Sequence, residues 1–343
     1  MARRSPVRFT HGNQPFLDLF SFGHAGPSGR FTPAQIAQIQ RTVHRVPEVM
    51  VKVTGGGRSV GAVGAHFRYI SRKGELSMET DEGEHIASRE AQKALLRDWH
   101  LELTAGQYRA PRDGRTSARR SKLVHNVVLS MPSPTPPEKV LAAARKFARE
   151  KFGAQHRYVM ALHTDQQHPH VHLVVKAESE EGRRLHIDKE MLRGWREDFA
   201  RLMREQGIAA NATPRFARGR SKVKTHDAIY RAQQHDGSTV IREGVATVAK
   251  RLGQTGSFND PAHERLVESR KAIVRGWHNV ASALDLQGET TLAGEVRQFV
   301  SQLPRVLTDR ERVAIALVQN MELTRRRDTT RNQTHSQTKE FTR

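Results

Sequence analysis

The chain has 343 residues, 57 Lys+Arg against 36 Asp+Glu, and a formal net charge of +21. That length leaves room for roughly two domains of about 150 residues each, and the surplus of cations favours a polyanionic partner, most simply nucleic acid. The absence of Cys excludes disulfides and thiol catalysis and suits a reducing cytoplasm. No run approaches the ~18 apolar residues of a spanning helix, and Met-Ala-Arg-Arg-Ser-Pro lacks the apolar core of a signal peptide.

Residues 1–48 read as an N-terminal arm, rich in Gly, Pro and Phe from Gly12 to Arg30, with a short helix from Pro33 to about His44 capped by Thr32. The arm either docks on the core or binds DNA. Val49 to Thr54 is apolar and predicts a strand, broken by Gly55-Gly-Gly57. Ser59 caps a predicted helix to about Arg72, and Gly74 stops it. Tyr69 falls in the last turn of that helix, among Arg68, Arg72 and Lys73, cations that would attract a phosphate. Two readings of Tyr69 stand: a core-edge phenol with its hydroxyl in water, or a nucleophile whose phenolate those cations favour.

Ser88 to about Thr104 predicts one helix with Ala91, Leu95, Trp99 and Leu103 at helical spacing. Arg109 to Lys122 is a basic loop, either solvated or laid against a phosphate backbone. Leu123 to Met131 predicts a strand containing His125, and Thr135 caps a helix to about Phe152. Tyr158 to Thr164 and Val171 to Val175 are β-prone runs joined by Asp165-Gln-Gln-His-Pro169, which predicts a hairpin. His170 and His172, two apart, share one face of its second strand. His163 lies near the end of the first, within cross-strand reach. Three converging imidazoles can hold a metal ion and leave positions open for substrate; with 18 His in the chain, scattered surface histidines are the competing explanation. After a turn near Gly182, Leu185 to Ile187 predicts a short strand, and Asp188 caps a helix from Lys189 to Gln206 that Gly207 closes.

The expected architecture is therefore α+β: a central sheet containing antiparallel strands with helices flanking it, at least four strands over residues 49–215. A small helical C-terminal domain follows, with helices over 241–252, 263–286, 292–303 and 308–323. Residues 324–343 have few apolar side chains and read as a disordered basic tail. The divisions expected are 1–48, 49–220, 221–323 and 324–343.

Four segments, in order, resemble a known family: Gly55-Gly-Gly57 with Arg68-Tyr-Ile-Ser-Arg-Lys-Gly74; His125-Asn-Val-Val-Leu-Ser-Met-Pro132; His163-x-Asp165-x-x-His-Pro-His-x-His172-Leu-Val-Val175; and Asn211-Ala-Thr213 with Arg218-Gly219. Over roughly residues 49–220 the chain is similar to conjugative relaxases, plasmid mobilisation nucleases of the His-hydrophobic-His superfamily, in the branch containing the T-DNA border endonuclease. The resemblance implies a site- and strand-specific DNA-nicking enzyme. Tyr69 would attack a phosphodiester of single-stranded DNA at an origin of transfer, leaving a 5′-phosphotyrosyl bond and a free 3′-hydroxyl.

His163, His170 and His172 would hold a divalent ion, Mg2+ or Mn2+; an all-imidazole donor set suits Mn2+, Zn2+ or similar ions better than Mg2+ on chemical grounds. Asp165 would orient His163, with action on the tyrosine proton or simple turn-shaping as alternatives. His125 would lie near the site or be a structural strand histidine. Arg68, Arg72, Lys73 and Lys176 would contact DNA.

Implied partners are supercoiled or single-stranded DNA, accessory proteins of the nicking complex and a coupling protein of a type IV secretion channel. The implied place is the bacterial cytoplasm, with passage alongside the transferred strand. Two departures from the family pattern stand out: the arm before the tyrosine, and Lys176 where the T-DNA branch has Asn. A rolling-circle replication initiator of the same superfamily and a non-catalytic nucleic-acid-binding protein are the alternatives.

Overall fold

A computed structural model describes residues 30–107, 121–153, 155–219, 239–255, 258 and 260–323. The described part of the expected arm begins at residue 30. Most of the basic loop and all of the expected tail lie outside the described residues. The described residues form two compact units: those within 32–213 belong to the first, and those from 214 to 323, with Arg30 and Phe31, belong to the second.

In the first unit the elements are α1 (Pro33–Val43), β1 (Met50–Gly55), α2 (Val60–Ile70), β2 (Met78–Thr80), β3 (His85–Ile86), α3 (Arg89–Asp98), α4 (Leu101–Gln107), β4 (Val124–Ser130), α5 (Pro137–Phe152), β5 (Tyr158–His163), β6 (His170–Lys176) and α6 (Lys189–Glu205). The strands form one six-stranded sheet in the order β1-β4-β6-β5-β2-β3. Every pairing is antiparallel.

Alternation along the strands splits the sheet into two faces. Val127, Leu129, Val171, Leu173 and Val175 pack with Phe147 of α5 and Trp195 and Phe199 of α6. Val124, Val159, Ala161 and Val174 face the other way, with Val63, Phe67 and Ile70 of α2 and Leu95 and Trp99 around α3. This is the expected α+β architecture, and α1, α2 and α6 start at their expected capping residues. Thr32 and Gln35 form a capping box on α1, Ser59 accepts from Ala62 N at 3.2 Å, and Asp188 accepts from Met191 N at 2.7 Å.

Several expectations give way. The helix predicted over 88–104 is broken at His100, whose φ is 48°. The left-handed residue turns the chain, so Leu101 is buried while Leu103 is 67% exposed. Thr135 does not cap α5; its hydroxyl donates to Pro132 O at 2.7 Å and the helix begins at Pro137. Residues 185–187 form no strand, only an isolated bridge between Glu178 and Arg184. The hairpin of β2 and β3, which widens the sheet beside β5, was not expected at all.

Residues 32–48 join the first unit rather than standing apart. Asn211 is 1% exposed, and its Nδ2 lies 3.1 Å from Thr42 Oγ1, 3.3 Å from Glu48 Oε1 and 2.7 Å from Thr213 Oγ1. Its carbonyl accepts from Val49 N at 2.9 Å, and its own N donates to Pro47 O at 2.9 Å. The Asn211-Ala-Thr213 motif thus ties the end of α1 to the chain that follows α6. Asn211→Ala removes three side-chain hydrogen bonds from a buried position and is expected to lower stability by about 1–3 kcal/mol; urea denaturation would check it.

The second unit is helical, as expected: α7 (Thr239–Thr255), α8 (His263–Gln287), α9 (Thr290–Ser301) and α10 over residues 309–323. Trp277 is fully buried, and its Nε1 donates to Ala217 O at 2.7 Å. Gly288, at φ 92°, makes the left-handed turn between α8 and α9.

Candidate functional site

The hairpin register brings the three histidines together. His163 pairs directly with His170, and Ala161 with His172. All three side chains project from the α2 face, because they alternate in step with Ala161 and Val174. The rings of His163 and His172 have centroids 4.5 Å apart, and those of His170 and His172 are 5.1 Å apart. One ring nitrogen from each lies within 4.8 Å of the others, and all three residues are buried.

The donor set fits a cation. His170 Nδ1 donates to His168 O at 2.9 Å, which leaves Nε2 as its lone-pair nitrogen. Both ring nitrogens of His172 are buried without a partner among the described residues. A buried donor or acceptor without a partner costs about 1–3 kcal/mol, and ligation would relieve that cost. Burial, followed by the neighbouring imidazoles and Arg72, pushes the His172 pKa down to about 3. Burial also lowers His163. Both effects favour neutral imidazole, the ligating form.

The helix opposite supplies the phenol. Gly56 lets β1 pass against β4 and into the turn before α2, since a Cβ there would lie 2.2 Å from Val124 O. Val63, Phe67 and Ile70 seat α2 on the sheet. Tyr69, on the helix edge, is 50% exposed. Its ring centroid is 5.6 Å from His172 and 6.3 Å from His163. His66, one turn earlier, stacks on it at 5.8 Å and meets His172 edge-on at 6.2 Å. Its Nε2 is buried and unpaired among the described residues. His66 received no role from the sequence, although its i, i+3 spacing from Tyr69 places both on one helix face.

After α2 the chain turns through Arg72, Lys73 and Gly74 at φ 50°, 62° and 103°. Left-handed backbone costs about 1–2 kcal/mol at a non-glycine residue, and such strain gathers at functional sites. The turn aims Arg72 back over the site. Its guanidinium carbon is 5.3 Å from the Tyr69 ring centroid. Its Nη2 donates to Asp165 Oδ2 and lies 3.2 Å from His163 Nδ1. Asp165 therefore reaches His163 through Arg72 rather than by direct contact. Arg68 and Lys73 are exposed on either side of Tyr69.

Two of the residues singled out in the sequence are not brought here. His125 pairs with Val175 and so lies on the opposite face of the sheet. Its pKa falls to about 4 through burial first and Lys122 next. Lys176 shares the histidine face but lies four residues beyond His172, about 13 Å along the strand. It is buried, with Nζ 3.8 Å from Glu180.

Residues 69–208 match the model of a relaxase family described as MobA/VirD2-like, nuclease domain. Over that span the chain is similar to the MobA/VirD2-like relaxases. The match begins at the tyrosine beside the trio and ends just past α6. Among curated relatives, the T-DNA border endonuclease VirD2 of Agrobacterium fabrum is 25% identical over 213 residues, 57% of this chain and 46% of that protein. The protein of the same name from Rhizobium radiobacter is 27% identical over 192 residues, 50% of this chain and 43% of the relative. That from Rhizobium rhizogenes is 27% identical over 138 residues, 37% and 30% of the two chains. The matches thus span less than half the length of these relatives.

The depressed histidines contribute to the first unit's response to acid. His125 titrates near 4 when folded against an ordinary 6.5. The unfolded chain therefore takes up protons first, and stability present above pH 6.5 is lost as pH falls from 6.5 towards 4. His172 acts in the same direction. His125→Gln removes one contributor remote from the trio, and thermal melts across that window should show a shallower loss.

Proposed function

We propose that this chain is a DNA-nicking relaxase acting on single-stranded DNA at an origin of transfer. The observation that carries it is the half-exposed Tyr69 ring, 5.6 Å from the ring of His172 in the buried histidine trio. Tyr69 Oη forms a bond to phosphorus as the bond from phosphorus to the 3′-oxygen breaks. The phenolic proton leaves and the 3′-oxygen gains one. A 5′-phosphotyrosyl link and a free 3′-hydroxyl result, and the retained bond energy allows the strand to be rejoined.

His163, His170 and His172 hold a divalent cation, Mn2+ or Mg2+, which when bound supplies positive charge to the phosphate oxygens. Arg68 and Lys73 take neighbouring phosphates, and the net charge of +21 draws the strand in. The buried His172 and His163 stay neutral and available as donors near pH 7. The alternation that sends them to one face also keeps them apart from His125.

The helical second unit meets accessory proteins and a secretion coupling protein, and the enzyme works in the bacterial cytoplasm before passing with the strand. No helix among the described residues is long and apolar enough to cross a membrane.

A denaturing gel tests the activity. An oligonucleotide carrying the nick site should give a covalent adduct that requires a divalent ion. Salt-sensitive binding with no adduct would instead identify a non-catalytic DNA-binding protein.

A further inference from the structure

Arg72 stands between Tyr69, His163 and Asp165, and its hydrogen bonds reveal which atom it occupies. His163 Nε2 lies 2.7 Å from Ile70 O. A carbonyl only accepts, so Nε2 carries the proton. Nδ1 therefore holds the lone pair, and Arg72 Nη2, 3.2 Å away, donates to it. That lone pair is the one His163 would offer to a cation. The same Nη2 also donates to Asp165 Oδ2. The guanidinium thus divides its hold between a ligand atom and a carboxylate that is about half exposed, with a side-chain exposure of 52%.

We propose that Arg72 is a positioning residue that guards the histidine trio: its guanidinium and a divalent cation compete for His163 Nδ1, and Asp165 retains the guanidinium when the cation enters. The inference rests on the trio being a cation site. Three features of the chain support it. The left-handed turn at Arg72 and Lys73 brings the Arg72 side chain back to Tyr69 and His163. The guanidinium also packs at 5.3 Å over the Tyr69 ring, so its displacement from Nδ1 is felt by the phenol. Ile70 O, at the end of α2, holds the His163 ring from the other side. Its lone pair therefore stays directed at the trio whichever cation it meets. Arg72 thereby links filling of the cation site to the placement of Tyr69. A residue that merely bound DNA would have no reason to touch His163.

The test is Mn2+ binding by calorimetry to the full chain without DNA, with folding checked by circular dichroism. Arg72→Ala removes both the competitor and a nearby positive charge, so Mn2+ should bind about tenfold tighter, while adduct formation slows. Asp165→Asn leaves the guanidinium only a neutral, weaker acceptor beside Nδ1, so Mn2+ should bind several-fold more weakly, roughly within the range of outer hydrogen-bond changes at metal sites. Arg72→Gln, uncharged but still able to donate, takes the place of the alanine variant if that fails to fold, and should lie between it and the parent.

A purely structural role for Arg72 would weaken binding and cleavage together. Affinity unchanged or lowered in Arg72→Ala, with binding lost in His172→Leu, overturns the guard and leaves the cation site standing. Binding unaffected by His172→Leu, or absent from both the parent and Arg72→Ala, overturns both. Binding by Arg72→Ala alone supports the guard. Nitrogen-15 NMR of the unmutated, metal-free protein gives a check independent of any variant: His163 should be protonated on Nε2, and protonation on Nδ1 would overturn the proposal.

Discussion

Tyr69→Phe is expected to abolish the covalent DNA–protein adduct, a loss of at least roughly 10³-fold, since no other group can take over a nucleophile's bond. The change deletes one oxygen from a half-exposed ring, so folding should be unaffected. His66 would still stack on the ring, and Arg72 would still lie over it. Mn2+ affinity should therefore also be nearly unchanged. The combination isolates the hydroxyl: chemistry lost, cation site and fold retained. Adduct formation at the parent rate on an oligonucleotide with the nick site would show that another residue is the nucleophile.

His172→Leu is expected to move activity and stability in opposite directions. Cleavage should fall about 10²–10³-fold, the scale of losing one electrostatic stabiliser of the reacting group, and Mn2+ binding should be lost. Yet both His172 ring nitrogens are buried without a partner among the described residues. Leucine fills similar space on a strand whose every residue is buried, and it removes a polar group worth about 1–3 kcal/mol of desolvation when left unpaired. The melting temperature of the metal-free protein should rise, by roughly 2–4 °C for each kcal/mol regained. A fall in melting temperature would mean that the ring is satisfied in some other way and that its burial is structural. The trade follows from a site that is prepared for a ligand at the expense of the empty fold.

The site was legible in the sequence where it depends on local period. His170 and His172 share a strand face because strands repeat every two residues, and His163 meets them because a short polar run closes a hairpin. Tyr69 could be placed at a helix end because Ser59 and Gly74 mark where that helix starts and stops. The rest turns on long-range register and backbone geometry. Whether His125 faces the trio depends on its pairing with Val175 between strands far apart in sequence, and a shift of one residue would reverse the answer.

The contact of Arg72 with His163 depends on positive φ at a non-glycine residue, which composition does not announce. The docking of α1 rests on Asn211, about 170 residues further along the chain. Strands of three and two residues, such as β2 and β3, are too short to show a period. The break at His100 likewise leaves helical spacing intact on either side of it.

The most direct measurement is mass spectrometry of the trapped conjugate. The full chain is incubated with an oligonucleotide carrying the nick site and a divalent ion, digested with trypsin and nuclease, and fragmented. Tyr69 follows Arg68 and precedes Arg72, so it should appear in the short peptide Tyr-Ile-Ser-Arg carrying a 5′-linked nucleotide phosphate. A nucleotide found instead on Tyr158, on a histidine, or on any peptide lacking Tyr69 would contradict the account.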